Sequence, residues 1–138
     1  MSASEFPDGV VPFYAVFLCQ GGGGGGSSSE GLVAGRGGGG GGFAAGIIDI
    51  LENNSFYFTV GGFGFGGSHK DSDGATAARH DGESGSATYV SDRENNSDLI
   101  LAEGGKGGVA SDTAPSDATG GRGIIASEVI PLHIMLQG

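Results

Sequence analysis

Three histidines, one cysteine and a run of acids are the residues of this 138-residue chain whose types could do chemistry. His69 and His80 fall in one polar stretch with Asp71, Asp73, Asp81 and Glu83, the donor types of a hard-cation or zinc site. Their spacing argues against one. No H-x-x-x-H or C-x-x-C pair occurs, and Asp71-Ser72-Asp73-Gly74 opens like a calcium loop without the later carboxylates that complete it. The stretch reads as a solvated acidic loop. His133 lies inside an apolar block, which suits a buried or interface histidine. Cys19 ends an apolar run with no base beside it, so a buried structural thiol is expected rather than a nucleophile. Gly62, Gly64 and Gly67 spell G-x-G-x-x-G after a strand, but no amphipathic helix follows, and in so glycine-rich a chain the match arises by chance. Lys106 follows Gly105, yet Ile100 stands where a phosphate loop needs its first glycine. No catalytic constellation emerges, so the expectation is a non-enzymatic protein without cofactor or metal.

The elements that position these residues are set by glycine. The chain holds 32, about a quarter of it, against a usual share of about 7%. Collagen is excluded because the glycines cluster rather than recur at every third position of a proline-rich chain. Sixteen acids against six Lys and Arg give a net charge of −10, which argues against nucleic-acid or anionic-membrane partners. No apolar run approaches the ~18 residues that span a bilayer. Met1 to Asp8 lacks the basic and apolar regions of a signal peptide, so export by that route is not expected.

Disorder is the first reading of such a composition, but the apolar residues, 37% of the chain, gather in short blocks. They lie at Val10–Cys19, Phe43–Leu51, Phe56–Val60, Ala87–Val90, Leu99–Ala102 and Ile124–Leu136. The first predicts a strand from about Phe13. Phe13, Ala15, Phe17 and Cys19 face one way and Tyr14, Val16 and Leu18 the other, so both faces should be covered. Phe43–Val60 predicts a β-hairpin turning at Asn53-Asn54, with Ile48, Ile50, Phe56, Phe58 and Val60 on one face. Shorter strands at Ser86–Val90 and Asp98–Ala102 flank a charged turn. Gly61–Gly85 and Gly104–Gly123 read as long exposed loops, the first with a helical turn at Ala75–Arg79 and with His69, Asp71, Asp73, Arg79, His80 and Asp81 as recognition residues. Pro131 interrupts the last block. Two equal runs, Gly21–Gly26 and Gly37–Gly42, suit polyglycine II, which has three residues per turn and covers about 19 Å in six residues. Lacking Cβ atoms, such segments approach closely and exchange backbone hydrogen bonds in several directions. The expected fold is therefore all-β, with short antiparallel strands, a hairpin, polyglycine II-like segments and long loops in one domain. Residues 1–9 form an arm and 124–138 an apolar assembly segment. Phe13, Tyr14, Phe17, Ile130, Leu132, Ile134 and Leu136 are the expected assembly interface, since both apolar ends exceed what so small a domain buries alone.

The order of these elements resembles the glycine-rich domain of bacteriophage tail fibres and related virion proteins. An apolar strand enters a glycine run (Phe17 to Gly26), and a second run leads through F-T-V-G-G (Gly37 to Gly62). A G-S-A-T-Y-V strand (Gly85 to Val90) precedes L-I-L-A-E-G-G-K-G-G (Leu99 to Gly108). The V-G-x-G-G step of that family is V-G-G-F-G-F-G-G here, and the closing block from Ile124 is longer and more apolar. The resemblance implies a virion structural protein. A tail-fibre, tail-tip or spike part presenting loops to a host-surface receptor is expected first, and a capsid-decorating or head-fibre protein second. It further implies other virion proteins as partners and a homo-oligomer, expected to be a trimer. An ice- or carbohydrate-binding module is the remoter reading, weakened because Thr59, Thr76, Thr88, Thr113 and Thr119 show no regular period.

Overall fold

The computed structural model describes residues 14–28, 35–50, 55–67, 80–110 and 118–132. Seven strands form, and no helix occurs among the described residues: β1 Tyr14–Gln20, β2 Phe43–Asp49, β3 Phe56–Thr59, β4 Thr88–Asp92, β5 Ser97–Ala102, β6 Gly123–Ile125 and β7 Ile130–Pro131. They make two antiparallel sheets, ordered β1-β2-β7 and β3-β4-β5-β6. The all-β expectation holds. The sheets face each other across one core in which Cys19, Ala44, Ile48 and Ile50 from the first meet Phe56, Val90, Leu99, Ile100 and Ala102 from the second. Ile100 is fully buried at its centre. Phe17 and Phe58 join the two edge strands, their ring centroids 5.5 Å apart.

Several expectations change. The hairpin predicted over Phe43–Val60 does not form, because β2 and β3 enter different sheets. The chain crosses between layers there, through residues outside those described. Turn-forming asparagines mark a reversal of the chain without saying whether the next strand pairs or passes to the facing sheet. Ile48, Ile50 and Phe56 are core as expected, but Phe58 is half-exposed and Val60 is 85% exposed. The pairing that does form a hairpin is β4 with β5, through Arg93–Asn96, where Asn96 takes a positive φ of 49°. Asn accepts this left-handed conformation more readily than most residues. The last apolar block splits into β6 and β7, which lie in different sheets. Nor is β1 covered on both faces: Tyr14 (60%), Val16 and Leu18 (61%) are exposed, while Ala15, Phe17 and Cys19 turn inward.

Beyond the strands lies a bundle of six extended segments: g1 (21–28), g2 (35–42), g3 (61–67), g4 (80–87), g5 (103–110) and g6 (118–122). Here the hydrogen bonds repeat every third residue, the period of polyglycine II rather than of a pleated strand. Gly21, Gly24 and Ser27 of g1 donate to Gly42, Gly39 and Arg36 of g2, while Gly22, Gly25 and Ser28 donate to Ser86, Glu83 and His80 of g4. The carbonyls of Gly23 and Gly26 accept from Gly64 and Gly67 of g3, and those of Gly22 and Gly25 from Gly105 and Gly108 of g5. The remaining bonds order the segments in two staggered rows, g3-g1-g2 and g4-g5-g6. Segments g1, g3 and g5 leave the ends of β1, β3 and β5, and g2, g4 and g6 return to β2, β4 and β6. The β1–β2 ladder ends at Gln20–Phe43 and passes without a break into the g1–g2 bonds. The two glycine runs are thus neighbours in one lattice. The described parts of Gly61–Gly85 and Gly104–Gly123 also belong to it, as lattice segments rather than loops. Residues 68–79, with the expected helical turn at Ala75–Arg79, and 111–117 lie outside the described residues.

Close approach explains the composition. A Cβ on Gly105 would collide with the backbone of g2, standing 2.6 Å from the Gly40 oxygen. In g5 the residues at the outward third position are Glu103, Lys106 and Val109, and the pairs between them are glycines. The lattice therefore demands glycine at inward positions and leaves the third free.

Candidate functional site

All three connections that join an outgoing segment to a returning one, 29–34, 68–79 and 111–117, depart from and come back to the end of the bundle farthest from the sheets. Their own residues lie outside those described, and with them His69, Asp71, Asp73 and Arg79 of the expected recognition set. His80 and Asp81 are described, and both stand at this distal end. The His80 amide donates to Ser28 Oγ at 2.9 Å and its carbonyl accepts from the Ser28 amide at 3.0 Å. Asp81 Oδ1 accepts the Ala110 amide. The Arg36 amide donates to Ser27 Oγ at 2.9 Å, and its carbonyl accepts from the Ser27 amide at 2.8 Å. Short polar side chains thus cap amides that the lattice leaves open at its end. Each connection starts and ends on a fixed base. The sequence reading missed Ser27 and Ser28 in this role. Serine directly after a glycine run was the available signal.

The long side of the g4-g5-g6 row carries an open groove of about 540 Å³ lined by Ser84, Glu103, Lys106, Thr119 and Arg122 with intervening glycines. Arg122 Nε lies 3.3 Å from Glu103 Oε2, which also accepts the Arg122 backbone amide. These bonds hold the Glu103 carboxyl below its usual range and raise the Arg122 guanidinium. Ser84 Oγ accepts the Gly107 amide. The side chains of Ser84, Glu103 and Arg122 are thus engaged in capping the lattice. Among the described residues no cluster of three His, Cys, Asp or Glu side chains could hold a metal. Cys19 is buried, which raises its thiol pKa and keeps it protonated and inert.

Of the expected assembly residues, Tyr14 and Ile130 are exposed on the outer face of the β1-β2-β7 sheet, and Leu132 is half-buried beside it. Phe17 points inward, against Phe58. Phe13, Ile134 and Leu136 lie outside the described residues. The same outer face carries Val16, Leu18 and Phe43, which the expected set omitted.

Two sheets that run into a six-segment glycine lattice define an all-β, glycine-built structural class. The chain belongs to the glycine-rich domain family, whose model matches residues 2–130. No curated protein and no solved structure matches it.

Proposed function

We propose that this protein is a non-enzymatic attachment element of a bacteriophage particle, a tail-fibre, tail-tip or spike component that holds polar connections out toward a host surface. The reading rests on one observation, the departure and return of all three long connections at a single capped end of a hydrogen-bonded bundle. A rigid scaffold with its connections gathered at one end is the usual arrangement for a recognition surface. The sequences of 68–79 and 111–117, rich in Ser, Thr and Asp and including His69, Lys70 and Arg79, suit a polar, hydrogen-bonding partner. The apolar outer face of β1, β2 and β7 favours a second reading, a capsid-decorating protein that docks on a shell through its strands. Deletion of 69–78 separates the two, because it spares His80, Asp81 and the lattice. In the attachment reading, particles carrying the deletion lose adsorption to host cells while the purified protein keeps its thermal midpoint. Undiminished adsorption would refute it.

A further inference from the structure

The outer side of the β1–β2 ladder and of its continuation in g1 and g2 is a single surface with two unlike halves. In the strand half the register places Tyr14, Val16 and Leu18 of β1 on the same face as Phe43 and Ile47 of β2, and Ile130 of β7 lies opposite Ile47. Five of these, Tyr14, Val16, Leu18, Phe43 and Ile130, are more than half exposed. In the lattice half the outward positions of g2 are Gly37 and Gly40, and a Cβ at either would meet nothing within 4 Å. The same outward third is Glu103, Lys106 and Val109 in g5, and Thr119 and Arg122 in g6. Glycine at Gly37 and Gly40 therefore does not serve the packing of the monomer, although each costs about 0.5–1 kcal/mol relative to Ala.

Charge sets this side apart from the opposite, g4-g5-g6 side of the molecule. Along the ladder, from Tyr14–Asp49 to Ser27–Arg36, the only charged residues are Asp49 at one end and Arg36 at the other. The remaining charges of the described residues lie on g4, g5, g6, on the strands that continue them and on the adjoining turns. In a chain of net charge −10, copies repel through the charged g4-g5-g6 side and meet at low electrostatic cost through this one.

We infer that this side binds a second copy of the chain, turned end for end about a two-fold axis. The strand half stands a side chain's height above the bare glycine half. A two-fold pairing sets the apolar ridge of each copy over the recess of the other, as an isologous interface requires. The same rotation carries the Asp49 end of one copy to the Arg36 end of its partner. Area supports the use of both halves. Five half-exposed apolar side chains supply about 500 Å², at on the order of 100 Å² each, the size of the largest apolar patch on a typical monomer, which is often a functional one. A stable interface takes about 800 Å² from each partner, so the glycine half is needed to complete it. The pairing makes the unit a dimer rather than the trimer that the fibre resemblance implies, and it does not rest on the attachment reading.

Sedimentation equilibrium of the full chain tests the pairing. Wild type is expected at dimer mass, and Val16→Glu, which puts a charge into the ridge, should weaken association at least tenfold. Gly40→Leu is the sharper probe. Its side chain enters open space in the monomer, so the thermal midpoint of the diluted protein should hold while the dimer is lost. Thr119→Leu, on the opposite side, should leave the dimer intact. A monomeric or trimeric wild type, or a Gly40→Leu variant that dimerises like wild type, would overturn the inference. Adsorption to cells is read separately, from the 69–78 deletion, so the two proposals fail independently.

Discussion

Gly105→Ala is the substitution that most directly questions the lattice. Gly105 lies in g5, in the middle of its row, and its missing side chain is where g2 passes. An added methyl would overlap the Gly39 carbonyl and stand 2.6 Å from the Gly40 oxygen. Both neighbours are backbone, so no side chain can swing aside to relieve the clash. Overpacking of this kind typically costs about 1–3 kcal/mol. Against that, alanine restricts the unfolded chain and returns about 0.4–1 kcal/mol wherever its native conformation is allowed. The net expectation is a loss of about 1–2 kcal/mol, a fall in thermal midpoint of roughly 4–8 °C for a domain of this size. Gly66→Ala is the internal comparison. Its Cβ would lie 3.5 Å from the Gly26 oxygen, an ordinary contact, and its backbone is not left-handed. There only the unfolded-state effect remains, and the variant should gain about 0.4–1 kcal/mol. Urea denaturation of the two variants beside wild type reads both signs at once. If Gly105→Ala is as stable as Gly66→Ala, the two segments do not pack as described, and the close-packing account of the glycines is wrong.

Two further outcomes follow from single side chains. Glu103 has a folded-state pKa below its unfolded value, because Arg122 bonds the ionised form. Its contribution to stability is therefore present above the usual carboxylate range and disappears as pH falls through the lowered pKa. Both groups are exposed, so Glu103→Gln should leave the neutral-pH midpoint nearly unmoved while flattening the loss of stability below about pH 4.5. An unchanged acid profile would show that the pair is not formed in solution. Cys19, buried in the core, should react with a thiol reagent only as fast as the core opens, and rapidly once urea unfolds the chain. Rapid labelling of the native protein would place it outside the core.

Much of the strand half was legible because apolar blocks and period-two alternation report burial directly, as for Ile48, Ile50 and Val90. Alternation could not report the layer to which a strand belongs, and that is why β2 and β3 looked like a hairpin. The two pure glycine runs suit polyglycine II although disorder competes with that reading, because their equal length and the apolar blocks beside them favour an ordered chain. Segments g4 and g5 read as loops in the sequence because Glu83, Ser84, Glu103 and Lys106 interrupt the glycines with polar residues. The signal that would have found them is a period of three. Gly82 and Gly85 are three apart, and Gly104-Gly105 and Gly107-Gly108 repeat at the same interval. Burial in a pleated sheet writes a period of two, whereas close approach between polyglycine II segments writes a period of three in glycine alone. His80 and Asp81, expected in a recognition loop, stand at the distal end of the bundle. The serine caps at Ser27 and Ser28 escaped notice because a hydroxyl that closes a backbone amide has no pattern beyond its neighbour.

The unbroken passage from the β1–β2 ladder into the g1–g2 bonds has a mechanical consequence. The bonds between segments run across the long axis of the bundle, and the three outgoing segments are joined to returning ones through bonds at successive turns. A tension applied at the distal end and resisted at the strands would load those bonds in shear, many at once, instead of peeling them one by one. Resistance to pulling then grows with the length of the bundle rather than with the strength of any single contact. The rate of forced unfolding, rather than the equilibrium stability, would set how long such a tether holds.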